Sequence, residues 1–173
     1  MIEDFAHRLT IERIRDGERI DLLADDAERQ AIAERLDLAS LDRLEAHASL
    51  ALDGDRVRAT GRVAAGLTQR CVVTGEPVGA HLDEPFDIAF VPEPQAGDEE
   101  IELRPEDCDV VFHDGASIDL GSAIADTLAL ALDPYPRSAS AEAALREAGV
   151  ISEEEAGPFA ALAQLKKGLG GEG

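Results

Sequence analysis

The dipeptide Asp53-Gly54 lies between two runs of alternating apolar and polar residues, and no other feature constrains the fold as tightly. Such a two-residue loop favours a type I′ turn, because Gly and Asp tolerate positive φ angles. A turn there fixes a register. Leu50 would face Val57, Ala48 Ala59, Ala46 Gly61 and Leu44 Val63, making one face apolar throughout. The other face would pair Ser49 with Arg58, His47 with Thr60 and Glu45 with Arg62. A slip of one residue would exchange the faces, so alternation and turn chemistry support one arrangement.

The same strand signals continue on both sides. Leu67 to Val73 leads into the turn Thr74-Gly75-Glu76-Pro77, and a further strand follows in which Phe86, Ile88 and Phe90 alternate with Asp87 and Ala89. Upstream, Phe5 to Ile14 reads as a strand, Asp16-Gly17 as a turn and Arg19 to Leu23 as a short return strand. Asp25 with Glu28 three residues on forms a capping box for a helix to about Leu36, with an apolar side at Ala27, Ala31, Ile32 and Leu36. Downstream, Pro92 to Gly97 is a loop, Val110-Val111-Phe112 a short buried strand and His113-Asp114-Gly115 a turn. Asp119 caps a helix with Leu120, Ile124, Leu128 and Ala131 on one face, widened by Leu132. The Asp133-Pro134-Tyr135-Pro136 stretch must stop that helix. The expected fold is α+β: a curved, barrel-like antiparallel sheet with a few packed helices. Residues 1–137 form the domain. Residues 138–173 are expected as an acidic, mobile linker with a short helix from Pro158 to Lys167.

Charge narrows the functions open to such a chain. With 37 acidic against 16 basic residues its net charge is −21, so it is a poor general binder of phosphate backbones. It would attract basic partners and repel copies of itself. Two cysteines without tight spacing fit a reducing compartment. With no leader-like start and no apolar run long enough to span a bilayer, a cytoplasmic protein without membrane contact is expected.

Catalytic signatures are lacking. The chain has no phosphate loop, dinucleotide fingerprint or nucleophile elbow. Cys71, Cys108, His7, His47, His81 and His113 are not spaced as zinc ligands, the nearest approach being Cys108 with His113. Carboxylate pairs are expected by chance among so many acids. Neither enzyme activity nor a cofactor, metal or small-molecule substrate is therefore expected. Arg56, Arg58 and Arg62 share one side of a strand, with Arg70 in phase if no bulge intervenes, and such a stripe can track a nucleic-acid backbone. The absence of an aromatic stacking platform favours the plainer reading, the solvent face of a half-buried hairpin partly neutralised by Glu45. From Cys71 to Leu165 the only bases are Arg104, Arg137 and Arg146, and the acidic run Asp98, Glu99, Glu100, Glu102, Glu106 and Asp107 dominates.

Two stretches carry a family resemblance. Gln69 to Val78 includes Cys71, Thr74, Glu76 and Pro77. The second stretch joins Ile118-Asp119-Leu120-Gly121 to Leu128 through Asp133-Pro134-Tyr135-Pro136. Together with the ending Pro158 to Leu162 and Lys166-Lys167, they resemble the YceD family, the large ribosomal RNA subunit accumulation proteins. Many members carry a second cysteine three residues after the first. Thr74 stands there in this chain, so no metal or redox role carries over and the motif reads as a structural turn. The resemblance implies a non-enzymatic role in making the large ribosomal subunit, seen as accumulation of its 23S ribosomal RNA. Two mechanisms fit. The chain binds a basic ribosomal protein or a pre-large-subunit particle through Asp98, Glu99, Glu100, Glu102, Glu106 and Asp107, or it binds ribosomal RNA through Arg56, Arg58, Arg62 and Arg70.

Overall fold

The structure is a computed structural model and describes residues 5–94 and 109–150. Its strands are β1 (Arg8–Thr10), β2 (Arg19–Leu23), β3 (Ser40–Asp53), β4 (Arg56–Arg70), β5 (Pro77–Pro92), β6 (Asp109–His113) and β7 (Ser117–Asp119). Its helices are α1 (Asp26–Arg35), α2 (Leu120–Ala131) and α3 (Ala141–Glu147). Strands β2-β3-β4-β5-β6 form one sheet in that order, antiparallel except for the parallel β5–β6 pair, and β1 pairs with β7. The α+β class holds. Among the described residues the five strands form an open sheet with β2 and β6 as edges, and the expected barrel is not closed. No helix among them is long and apolar enough to cross a membrane.

The β3–β4 hairpin forms, but two residues away from the expected register. Leu52 opposes Val57, Leu50 Ala59, Ala48 Gly61, Ala46 Val63 and Leu44 Ala65, while His47 opposes Arg62 and Ser49 Thr60. The loop is Gly54-Asp55. Gly54 has φ +67° whereas Asp55 stays at negative φ, which is the type II′ pattern rather than type I′. A slip of two preserves the parity of every side chain, so the apolar face survives. Leu44, Ala46, Ala48, Leu50, Val57, Ala59 and Val63 are all buried. Gly61 has no alternative at its place, because a Cβ there would lie 1.9 Å from the His47 carbonyl oxygen.

Other elements are trimmed by their partners. The expected strand from Phe5 to Ile14 is extended only at Arg8–Thr10, because β7 offers three partners, and a 3₁₀ turn follows at Ile11–Arg13. Strand β4 ends at Arg70, not Val73. Cys71 N–H donates to the Glu76 carbonyl and Gly75 N–H to that of Cys71, closing a turn over 71–76. The Asp25–Glu28 capping box is present in both directions, at 2.8 and 2.9 Å. On α1 only Ile32 is buried among the expected apolar positions. Strand β6 exists but is not buried along its length: Val111 is 37% and Phe112 53% exposed, because β6 is an edge. Helix α2 follows expectation, with Asp119 accepting from Ser122 N–H and Leu120, Ile124 and Leu128 buried. Its apolar face joins Ile32 and the inner face of the sheet in one core.

Candidate functional site

Residues of the two quoted motifs meet in space. Val72 N–H donates to the Pro136 carbonyl at 2.9 Å, and the Gln69 amide donates to that of Asp133 at 2.9 Å. The Thr74 and Ser138 hydroxyls are 3.2 Å apart, and the Ser140 hydroxyl donates to Glu76 Oε2, which Thr74 also reaches at 3.1 Å. These three hydroxyls, Ser140 foremost, hold the Glu76 carboxyl below the usual carboxylate range. The start of the stretch after Arg137 is thus tied to the domain, and Ala141 at the start of α3 is buried. The expected helix at Pro158–Lys167 lies outside the described residues.

Inside the clamp sits Cys71, buried and free of any disulfide. The Val73 and Thr74 amides each point at its sulfur from 3.4 Å. Burial pushes the thiol up, but hydrogen bonds from the hydroxyls and amides of Ser138 and Thr74 outweigh it and lower its pKa to about 6. Thr74 therefore serves the sulfur as a hydrogen-bond partner. Ser138 and Ser140 were invisible to sequence reasoning because they lie 64 residues from the groups they meet.

Asp119, Leu120 and Gly121 of the second stretch lie against Phe5 and His7. Asp119, besides capping α2, accepts from His7 N–H at 3.1 Å, and Leu120 N–H donates to the His7 carbonyl at 3.0 Å. Leu120 is fully buried, and a Cβ at Gly121 would lie 2.1 Å from the Phe5 carbonyl oxygen. Tyr135 differs: its backbone is held by Asp133, while its side chain is exposed.

The four arginines do share one face, since the β4–β5 ladder runs without a bulge from Arg70↔Pro77 to Val57↔Phe90. They come with partners. Arg58 lies opposite Ala89 and grips Asp87, two residues along, through Nε at 2.7 Å and through Nη2. Arg62 lies opposite Pro85 and repeats the diagonal, reaching Asp83 at 2.8 Å and its carbonyl at 3.1 Å. Diagonal neighbours on a sheet are within reach of such long side chains. Arg70 stands 3.4 Å from Asp37, which adopts the left-handed conformation (φ +53°) just past α1. Arg56 is engaged as well. The Arg58 guanidinium holds the Asp87 carboxyl below its ordinary value. His47, on the same face, is 2.7 Å from Asp21, whose hydrogen bond and charge raise its pKa. The acidic candidates Asp98, Glu99, Glu100, Glu102, Glu106 and Asp107, like Cys108, lie outside the described residues.

No curated protein and no solved structure matches the chain. The family model described as large ribosomal RNA subunit accumulation protein YceD matches residues 59–166, which take in most of β4, all of β5, the Cys71 clamp and α2. That match covers more than half of the chain, whose two motif stretches meet in the fold, and the chain belongs to the YceD family.

Proposed function

We propose that this chain is a non-enzymatic factor in large ribosomal subunit biogenesis, needed for accumulation of 23S ribosomal RNA, and that it acts by binding a basic ribosomal protein or an assembly intermediate that contains one. The family supplies the link to the large-subunit RNA. The observation behind the mechanism is the pairing of Arg58, Arg62 and Arg70 with Asp87, Asp83 and Asp37. Backbone binding draws its strength from cations that displace counterions from phosphates, and arginines already facing carboxylates have less to offer. The net charge of −21 favours a basic partner over an anionic one. The contacts of Val72, Asp119, Leu120 and Gly121 give these motif positions a part in holding the fold, which supports a binding role.

Direct binding of ribosomal RNA is the second reading, favoured by one observation: Arg56, Arg58, Arg62 and Arg70 are in phase on a single face. Affinity capture of the tagged chain from lysate, with and without ribonuclease, separates the two. The proposal expects a basic ribosomal protein retained at equal yield after nuclease, and no loss when Arg56, Arg58 and Arg62 are all replaced by Glu. Large-subunit RNA recovered only without nuclease, and lost with those replacements, would establish the second reading instead.

A further inference from the structure

Strand β6 is the open edge of the five-stranded sheet: among the described residues it is bonded to β5 on one side and to no strand on the other. An exposed edge presents unpaired N–H and C=O groups, a template for an added strand. Unlike a protected edge, β6 has no proline and no inward charge at its centre. Val110-Val111-Phe112 is apolar, with Phe112 53% exposed. Beside it, between β6 and the first turns of α2, lies a groove of about 310 Å³ whose lining includes Phe90, Val111 and Phe112.

The charge around this edge is mostly negative. Asp109 opens β6 and Asp114 follows it, and both are exposed. Asp119 and Asp126 line the groove from the α2 side. The base in the lining, Arg8, stands 4.0 Å from Asp119, and Arg35 lies 3.7 Å from Asp126. Asp119 and Asp126 are thus already partnered, and the positive charge that an occupant brings would answer Asp109 and Asp114 at the two ends of β6, around an apolar centre. A phosphate backbone would meet the acidic rim unfavourably. A second copy of this chain would bring a net charge of −21 against −21.

We propose that the open edge of β6 and its groove take up an extended segment of basic polypeptide, apolar at its centre and bearing lysine or arginine at both ends, as an added antiparallel or parallel strand. Main-chain hydrogen bonds would give affinity, and the groove and flanking aspartates would select the side chains. This rests on the reading of the chain as a binder of basic protein, and adds where and in what conformation the partner is held.

The test uses the full chain and a fluorescent peptide, Lys-Arg-Val-Thr-Val-Arg-Lys, followed by anisotropy. Phe112→Lys places a cation in the edge and should weaken binding about tenfold or more, whereas Leu23→Lys on the opposite edge strand β2 should change it less than about twofold. N-methylation of the peptide's central amides should abolish binding to the unaltered chain, a readout that no misfolded variant can imitate. Equal affinity for the Phe112→Lys chain, or for the methylated peptide, overturns the proposal, as does failure of the peptide to bind at all. The capture experiment remains separate: a basic ribosomal protein retained after nuclease by both the unaltered and the Phe112→Lys chain would refute this edge while leaving the proposed function standing.

Discussion

The outer face of β3, β4 and β5 differs sharply from the corner made by β6 and α2. On the ribbon, polar groups answer one another: Arg58 meets Asp87, Arg62 meets Asp83 and His47 meets Asp21. At the far turn Thr74, Ser138 and Ser140 converge on Cys71 and Glu76. At the corner, a strand edge, two exposed apolar side chains and the aspartates at the ends of β6, Asp109 and Asp114, face outward together. Self-satisfied charges must be pulled from existing partners before they help a ligand, whereas an open edge loses little when another strand covers it. His113 shows how the corner is anchored to the ribbon: its Nε2–H donates to the Asp55 carbonyl in the β3–β4 turn at 2.9 Å, and its Nδ1 accepts from Gly115 N–H at 3.0 Å.

The largest expected effect breaks the ribbon itself. Gly61→Ala drives a Cβ to within 1.9 Å of the His47 carbonyl and 2.8 Å of the Phe86 ring, contacts that the β3–β4 ladder cannot relieve without separating. Urea denaturation should show a loss of about 3 kcal/mol, the upper part of the overpacking range. Phe112→Lys at the corner should stay within about 0.5 kcal/mol of the unaltered chain. Comparable losses for both would erase the distinction between a locked ribbon and an open corner.

A middle-sized effect lies at the end of the ribbon, in the Cys71 clamp. Its thiol pKa is lowered from 9.0 to about 6 in the fold. Between those values the folded chain holds fewer protons than the unfolded one, so stability rises with pH. The contribution is complete above pH 9 and disappears as pH falls through 6. Relative to Cys71→Ala, the unaltered chain should gain in urea midpoint as pH is raised across this window. Parallel curves for the two proteins would mean that the hydroxyls and amides of Thr74 and Ser138 do not stabilise a thiolate.

Alternation in the sequence revealed parity and little of phase. Leu44, Leu50, Val57 and Val63 could be assigned to the core because a period of two separates inward from outward residues whichever partner each meets. The choice between loops Asp53-Gly54 and Gly54-Asp55 depended on turn geometry, and the second also sets Leu52 against Val57. The aspartates that occupy Arg58 and Arg62 could not be recognised without the β4–β5 register, which the turn over 71–76 sets. Asp119 and the capping box were legible because both act within four residues. Ser138, Ser140 and Asp37 were not, since each meets its partner only after the chain has folded back. Val110-Val111-Phe112 looked buried because an apolar run does not say which strand will be an edge.

The smallest expected effect sharpens the comparison on the ribbon's exposed face. The Asp21 carboxylate raises the pKa of His47 through a 2.7 Å hydrogen bond and its charge. A raised histidine contributes stability that is present below its unfolded value of 6.5 and is lost as pH rises through the folded value. Both side chains are largely exposed, so the contribution is screened by solvent and belongs with weak surface pairs. Asp21→Asn should bring the NMR titration midpoint of His47 back toward 6.5 while leaving the denaturation midpoint above pH 8 unchanged. A midpoint that does not move on this substitution would assign the shift to Glu45 instead, the remaining carboxylate that raises it, and would remove the His47–Asp21 pair from the set of contacts by which the ribbon satisfies itself.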